Sequence, residues 1–355
     1  MQRPEPPRIP LQPPVYFCPR AVGPLQLDGD IRKPFWRNVP FTRDFLDISG
    51  PDFPTPRFRT RAKLCWDDRY LYIAALLEGD EIWANLTQRD EVIYFDNDFE
   101  VFLDPSSSTH HYLELEMNAR NTQWDLLLTR PYRDGGHSVS CWDIKGVETA
   151  VHIEGELNCP QADNRWWSVE IRLPFAPLME TYSRQQNPPE LARCYPCRTA
   201  PRTGEFWRVN FSRVQWQVDG GYRKRTGADG QPLPEDNWVW APTGLIDIHC
   251  PEFWGFVFFT EHGEPCPVPE DERRKLTLRR LYYAQHAYRA AHGCFCADMA
   301  ALLAALPPHL AEKPEVDVQV FVTPHGFELS CPAADGPGLV CLRQDGYTWL
   351  TREED

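Results

Sequence analysis

The sequence lacks any uninterrupted apolar run of the roughly 18 residues that a membrane-spanning helix needs. Residues 1–14 are polar and rich in proline, and they contain no apolar segment of the kind found in a secretory signal peptide. We therefore expect no membrane span. We expect either a cytoplasmic protein or a secreted one whose signal has been removed.

Positive charge is in short supply. The chain carries 37 Lys and Arg residues against 51 Asp and Glu residues, which gives a formal net charge of −14. Affinity for nucleic acids depends largely on neutralising phosphate groups, which an acidic protein repels. The basic cluster at 273–280 is interrupted by apolar residues, as is typical of a solvated helix face. We therefore exclude nucleic acids as partners.

Common catalytic and metal-binding motifs are absent as well. The sequence contains no G-x-S-x-G, Walker or G-x-G-x-x-G loop and no H-E-x-x-H. Its twelve cysteines are irregularly spaced, and Cys194 and Cys197 form a C-x-x-C pair without a second ligand pair nearby. We therefore expect the cysteines to be free thiols, which favour a reducing compartment. Because the common catalytic motifs are missing, we also expect no catalytic residues.

Aromatic residues and strand patterns are abundant instead. The chain has 13 Trp, 13 Tyr and 19 Phe residues, which favour strands and also offer flat faces to a ligand. Residues 61–66 and 70–77 read as a hairpin around the turn at 67–68. In 99–104 and 111–118, apolar and polar side chains alternate, so each strand presents one apolar and one polar face.

These patterns predict a mainly β protein. Many short strands with regular turns favour an antiparallel, jelly-roll-like β-sandwich over residues 25–262, preceded by an extended proline-rich lead-in at 1–24. The long irregular segments 176–204 and 217–236 should rim one end of the sandwich. Helical spacing at 271–292 and 298–306, followed by alternating strands, predicts a small C-terminal α+β domain at 270–355.

Four motifs in the sandwich region occur in an informative order. They are L-D-G-D with P-F-W (27–30 and 34–36), C-W-D-D-R-Y-L-Y (65–72), N-D-F-E-V-F-L-D (97–104) and P-E-F-W-G (251–255). Together they resemble the family 9 carbohydrate-binding modules, specifically the family-9-like branch related to DOMON-type β-sandwiches.

This resemblance implies a sandwich that holds a sugar between aromatic faces, with carboxylate and amide groups bonding the hydroxyls. By position, Tyr94 matches the first aromatic platform, Glu100 a sugar-binding glutamate and Asn118 a hydrogen-bonding amide. Glu116 stands where the family carries an arginine. No aromatic occupies the place of the second platform, which falls near Ile248, and the substitutes we expect are the nearby Trp238 and Trp240.

The residues themselves leave two interpretations of this region open. Glu100, Glu114, Glu116 and Asn118 share one strand face, which is either a solvated surface or a ligand site. Neighbouring carboxylates repel unless sugar hydroxyls or a calcium ion bridge them. We expect no required cofactor, and calcium is the one ion that this face could bind. Trp238 and Trp240 are either core or a stacking surface.

Arg213 is a polar residue within an aromatic strand, and such a buried group needs a partner. We expect it to pair with Glu100 or Glu116. A structural ion pair and a ligand contact are both open for this arginine.

The predicted function is non-catalytic carbohydrate binding. One alternative is a scaffold or adaptor that contacts a protein partner through its C-terminal domain. Another is a glycoside hydrolase with Glu100 and Glu116 as its acid and base. A third is a haem-binding relative that uses Met117 with His110 or His137 as axial ligands.

Overall fold

A computed structural model describes residues 4–179 and 200–351 of the chain. It is mainly β, as the sequence predicts. Its strands are β1 (Val15–Cys18), β2 (Leu46–Asp47), β3 (Thr60–Trp66), β4 (Tyr70–Glu78), β5 (Asp98–Asp104), β6 (Tyr112–Asn118), β7 (Gln123–Leu128), β8 (Ser138–Val139), β9 (Glu148–Glu154), β10 (Trp166–Pro174), β11 (Phe206–Gln215), β12 (Asp236–Val239), β13 (Gly255–Phe259), β14 (Gln319–Val322), β15 (Phe327–Pro332), β16 (Leu339–Arg343) and β17 (Thr348–Leu350). The longer helices are α1 (Glu270–His292) and α2 (Met299–Ala304), and residues 175–179 are also helical.

Two sheets form the sandwich. The large sheet has the order β1-β13-β11-β5-β6-β7-β8, with β12 paired to β11 and β2 paired to β12. The small sheet has the order β3-β4-β10-β9. In the described residues every strand pair is antiparallel except β1 with β13, which is parallel. The jelly-roll layout stays a prediction.

The core lies between the two sheets, where the alternation of side chains places it. Phe99, Val101 and Leu103 on β5 and Leu113, Leu115 and Met117 on β6 are buried there against apolar residues of β3, β4 and β10. The intervening polar residues of β5 and β6 therefore face away from the core, as the sequence predicts. Part of the lead-in also belongs to this fold, because β1 lies at the edge of the large sheet.

The opening motif folds around one buried carboxylate, Glu170 on β10. Its oxygens accept hydrogen bonds from Trp36 Nε1 at 2.6 Å and from the Gly29 N–H at 2.9 Å, and Lys33 Nζ lies 2.8 Å away. Gly29 has a φ of +82°, and a Cβ there would lie 2.3 Å from the backbone carbon of Val151. The L-D-G-D and P-F-W residues are therefore structural.

Residues 270–351 form a separate apolar cluster in which α1 and α2 pack on a four-stranded sheet, β14-β15-β16-β17. The predicted helix end at Gly293 is present, with a left-handed φ of 79°. Asp298 caps α2 by accepting a hydrogen bond from the Ala301 N–H at 2.8 Å.

Polar contacts join this C-terminal unit to the sandwich. Arg133 Nη2 lies 2.8 Å from Glu252 Oε1, and Tyr283 of α1 donates its hydroxyl proton to the same carboxylate. Ser107 Oγ donates to Glu272 Oε2 at 2.6 Å. The C-terminal unit is therefore packed directly on the sandwich.

The remaining sequence expectations concern cysteines, loops and membranes. The ten cysteines in the described part of the chain are free thiols, whereas Cys194 and Cys197 lie outside the described residues, as does most of the predicted loop at 176–204. The predicted loop at 217–236 contains bridges that pair Val218 with Lys224 and Thr226 with Pro232. Within 4–179 and 200–351, no helix is both long and apolar enough to cross a membrane.

Candidate functional site

Four acidic side chains lie together on the outer face of the large sheet. Asp98 and Glu100 come from β5, and Glu114 and Glu116 come from β6; we call these four residues the carboxylate cluster. Glu100 is directly opposite Glu116 in the strand register. Their exposed fractions are only 0%, 5%, 5% and 2%, in sequence order. The interpretation of a solvated charged surface is therefore wrong.

The cluster is compact and incompletely hydrogen-bonded. One carboxylate oxygen from each of Asp98, Glu100 and Glu116 lies within 4.8 Å of the other two. Glu116 Oε2 accepts a hydrogen bond from the Tyr94 N–H at 3.0 Å, and Asp98 Oδ1 accepts one from the Val214 N–H at 3.1 Å. Asp98 Oδ2 is buried without a hydrogen-bond partner. Such an oxygen is costly to bury unless a ligand, ion or proton satisfies it.

Burial and mutual repulsion weaken the acidity of the cluster. Burial raises the pKa of Glu100 to about 7 and, with the Glu100 charge, the pKa of Glu114 to about 8. Burial and the neighbouring carboxylates also raise the pKa of Glu116 and of Asp98. In the described ranges, no Arg, Lys or His forms an ion pair with any of the four.

Other acidic groups in the same chain are matched by cations. Buried Glu170 lies 2.8 Å from Lys33 Nζ. The acidic trio of Asp90, Asp125 and Asp143 surrounds Arg89, which forms an ion pair with each of its three members. Among the residues that the structure describes, the carboxylate cluster has no comparable internal cation, so its charge is available to an external one or to hydrogen-bond donors of a ligand.

Tyr94 lies beside the carboxylate cluster. It belongs to a 3₁₀ turn at Ile93–Phe95, and its backbone N–H bonds Glu116. Its side chain is 38% exposed, and burial together with the Glu116 charge raises the pKa of its phenol. The structure therefore brings Tyr94, Glu100 and Glu116 together.

Tyr132 is a second exposed aromatic at the cluster, and the sequence analysis missed it. It begins the 3₁₀ turn Tyr132–Asp134 and is 43% exposed. Burial raises the pKa of its phenol, as do the charges of Glu114 and Glu116. Its position after β7, which pairs with β6, is the one sequence signal that places it near the cluster. Ile248, at the expected second platform, instead packs in the apolar cluster around Trp254.

Asn118 lies at the end of the same face, but its amide is occupied by protein groups. Nδ2 donates to Asp96 Oδ2 and to the Leu86 carbonyl, both at 3.0 Å. Oδ1 accepts from the Arg120 N–H at 3.0 Å and the Thr122 N–H at 3.1 Å. The amide holds the turn between β6 and β7, so the predicted hydrogen bond to a sugar has no free donor or acceptor on it.

Trp238 and Trp240 are buried in the core cluster of the sandwich. The Trp238 ring meets Phe58 edge to face, and the Trp240 ring lies 5.9 Å from the ring of Phe211. Neither ring presents a free face to solvent, so the core interpretation is correct and the stacking surface predicted for them is not formed.

Arg213 lies on the core side of β11, so the predicted pairing with Glu100 or Glu116 is wrong. Its neighbour Ser212 is the residue in register with Glu100, and successive side chains of a strand point to opposite faces. The guanidinium instead donates to Gln215 Oε1 at 2.7 Å and to Thr60 Oγ1 at 2.9 Å. It is a structural group of the core.

The haem alternative also fails on orientation. Met117 is fully buried in the core of the sandwich, whereas His110 lies 3.4 Å from Asp345 of the C-terminal unit. His137 is exposed and lies beside Thr129 at the surface. Neither histidine therefore shares a common space with the Met117 side chain.

A cavity of about 170 Å³ lies elsewhere, between the start of the chain and the segment Leu245–Asp247. It is lined by charged, small and aliphatic groups, and no aromatic side chain lines it. It therefore offers no stacking surface, unlike the carboxylate cluster with its two tyrosines.

Replacing Glu116 by glutamine is expected to raise the free energy of unfolding by about 1 kcal/mol, because it removes one of several facing like charges. The buffer should contain EDTA, so that no metal ion offsets the repulsion. The glutamine oxygen can still accept the Tyr94 N–H. Urea unfolding would measure the change. Asp143→Asn is the control, since its carboxylate already pairs with Arg89. A Glu116→Gln protein less stable than the parent would contradict the repulsion.

Comparisons with known proteins agree with the motifs. Residues 27–186 match the family model described as "Carbohydrate family 9 binding domain-like". A search of curated proteins finds no significant match.

Three of the solved structures that the chain matches come from two organisms. A proposed carbohydrate-binding protein from Bacteroides uniformis is 13% identical, with a TM-score of 0.47 over 70% of this chain and 100% of that chain. A family 9 module from Caldicellulosiruptor kristjanssonii in complex with cellotriose is 15% identical, with a TM-score of 0.40 over 72% of this chain and 97% of that chain. The structure of a family 9 module from the same organism in complex with glucose is 14% identical, with a TM-score of 0.41 over 70% of this chain and 98% of that chain.

Proposed function

We propose that this chain, whose residues 27–186 belong to the carbohydrate family 9 binding domain-like family, binds a carbohydrate at the carboxylate cluster. The observation that carries the proposal is the placement of two half-exposed tyrosines, Tyr94 and Tyr132, around Glu114 and Glu116. Flat apolar faces next to a few hydrogen-bonding groups are typical of small-ligand sites.

The two kinds of side chain would make different contributions. The tyrosine rings offer apolar faces to the C–H surface of a sugar ring, and their hydroxyls remain able to donate and accept hydrogen bonds. An ionised carboxylate accepts hydrogen bonds from sugar hydroxyls, and a protonated one can also donate. The raised pKa values of Glu100 and Glu114 make both forms accessible near neutral pH. The cluster therefore suits a polyhydroxylated ligand, whose hydroxyls can both donate and accept hydrogen bonds.

We propose that binding occurs without bond cleavage. The acid and base of a glycoside hydrolase flank the scissile bond. Glu100 and Glu116 are register partners on neighbouring strands, and both project from the same face of the sheet. They would therefore approach a ligand from one side, and this arrangement favours binding over hydrolysis.

Replacing Tyr94 or Tyr132 by alanine is expected to weaken sugar binding about tenfold in each case, which corresponds to about 1.4 kcal/mol for a lost aromatic contact. A glycan array would identify a ligand for the wild-type protein, and calorimetry would then measure both variants. Phe321→Ala is the matched control, because Phe321 is an exposed aromatic on β14 of the C-terminal sheet.

Two results would count against this site. The first is a wild-type protein that binds no glycan on a broad array that includes glucose and cello-oligosaccharides. The second is a glycan whose affinity is unchanged in both tyrosine variants, which would place the sugar elsewhere on the chain.

A further inference from the structure

We propose that Asp98, Glu100 and Glu116 form a binding site for a divalent cation, and that the ion it fits is Ca²⁺. This inference goes beyond sugar binding and does not depend on it. It rests on the proximity of the three carboxylates, on an unsatisfied buried oxygen and on the absence of a partner cation within 4–179 and 200–351.

The oxygens lie close enough together for one ion to contact all three carboxylates. One oxygen from each of Asp98, Glu100 and Glu116 lies within 4.8 Å of the other two. Calcium binds oxygen at about 2.3–2.6 Å, so two ligands on opposite sides of the ion are about 4.6–5.2 Å apart. Magnesium binds at about 2.0–2.1 Å, requires near-ideal octahedral geometry and gives up its water reluctantly. A single ion can therefore contact all three oxygens, and the flexible coordination of calcium favours it over magnesium at a site built from three protein carboxylates.

The second observation is the unsatisfied oxygen of Asp98. Its side chain is fully buried, and Oδ1 accepts the Val214 N–H at 3.1 Å. Oδ2 has no hydrogen-bond partner. A buried acceptor without a partner costs about 1–3 kcal/mol, and a bound cation would remove this cost.

The charge balance points the same way. The trio of Asp90, Asp125 and Asp143 is the other group in the described part of the chain with metal-site spacing, and there Arg89 supplies the positive charge. Asp98, Glu100 and Glu116 have the spacing without the arginine. The described residues thus contain one acidic trio with an internal cation and one that can accept an external cation.

Neighbouring groups can complete the coordination shell. Calcium takes six to eight oxygen ligands, including water and bidentate carboxylates. The Ser212 hydroxyl, which bonds Glu100, is a neutral oxygen at the site, and Glu114 adds a fourth negative charge on the same face. The small exposed fractions of Glu100 and Glu114 lie toward solvent, from which an ion would enter.

The experiment is a calcium titration of the full-length chain after treatment with EDTA and dialysis, without any sugar. Calorimetry is expected to show one ion per chain with a Kd on the order of 1–100 µM. Millimolar CaCl₂ is expected to raise the melting temperature, because a ligand that binds only the folded state stabilises it. Mg²⁺ at the same concentration should raise it much less. Tb³⁺ luminescence is an additional readout, since Trp124 is in register with Glu116.

Two variants test the assignment of the ligands. Asp98→Asn and Glu116→Gln are each expected to weaken calcium binding about tenfold or more, because affinity follows the number of charged ligands. Glu116→Gln is expected to remain folded, since it removes a repelling charge. Asp143→Asn is the matched control, because Asp143 belongs to the acidic trio that pairs with Arg89. The calcium affinity of this variant should equal that of the wild type.

Several outcomes would overturn the proposal. Wild-type protein that gives neither binding heat nor a higher melting temperature at millimolar calcium would exclude the site. An undiminished calcium response in both Asp98→Asn and Glu116→Gln would place the ion elsewhere. Equal stabilisation by Mg²⁺ would overturn the assignment to calcium. Because no sugar is present, failure to find a glycan would leave the calcium result intact, so the two proposals fail separately.

Discussion

Replacing Arg133 by methionine is expected to lower the free energy of unfolding by about 3–5 kcal/mol, because it leaves Glu252 charged and buried without its partner. Both side chains are almost fully buried, and Arg133 Nη2 donates to Glu252 Oε1 and Oε2 at 2.8 and 2.9 Å. Burial alone would raise the pKa of Glu252, but the charges of Arg133 and Arg279 outweigh it and hold the pKa at about 2. Methionine preserves much of the side-chain volume, so the loss reports chiefly on the charge.

This loss would be measured by urea unfolding, followed by tryptophan fluorescence. The double variant Arg133→Met, Glu252→Gln is the control, since removing both charges should recover a large part of the stability lost by the single variant. Tyr283 of α1 also bonds Glu252, so the pair lies where the C-terminal unit meets the sandwich. A single variant as stable as the wild type would show that this buried pair contributes nothing to the interface.

Replacing Glu170 by alanine is also expected to lower the free energy of unfolding by about 3–5 kcal/mol. The carboxylate is fully buried and satisfies several donors of the opening motif, which would lose their acceptor together. These donors are Trp36 Nε1 at 2.6 Å, Lys33 Nζ at 2.8 Å, the Gly29 N–H at 2.9 Å and the Asp28 N–H at 3.0 Å. The partly buried ammonium group of Lys33 would keep its contacts with the Gln26 carbonyl and Asp28.

The matched control for Glu170 is Glu148→Ala on the neighbouring strand β9. Glu148 is half-exposed and pairs with Arg172 at the surface, and such pairs contribute at most about 1 kcal/mol. Thermal and urea unfolding of both variants would give the comparison. Equal stabilities of Glu170→Ala and Glu148→Ala would mean that the opening motif does not depend on the buried carboxylate.

The faces of β5 and β6 were predictable from the sequence, because side chains alternate with a period of two. Leu113, Leu115 and Met117 enter the core as predicted, and Glu114 and Glu116 lie on the opposite face. The alternation could not reveal what covers a face. The acidic side was compatible with open solvent, and its burial depends on segments that are distant in the sequence and meet only in three dimensions.

The wrong predictions at the site also arose because the sequence does not show which elements meet in three dimensions. Arg213 and Ser212 are adjacent, and only the pairing of β11 with β5 shows which of them shares a face with Glu100. Trp238 and Trp240 share a face, as their spacing requires, but the sequence does not say whether that face is inner or outer. Tyr132 was missed because its nearness to Tyr94 depends on where a turn after β7 lies in space. Tyr94 was found because a motif places it six positions before Glu100.

The parallel pairing of β1 with β13 has a consequence for the order of folding. Val15–Cys18 lies beside residues 256–259, so the earliest strand of the sandwich pairs with its last. During synthesis, β1 emerges long before its neighbour, and it stays without this partner until Phe259 has left the ribosome. Unpaired strand edges are the sites at which nascent chains aggregate or mispair. The six prolines among residues 4–14, which precede β1 and have no backbone N–H to donate to a neighbouring strand, limit how far such mispairing extends toward the N-terminus.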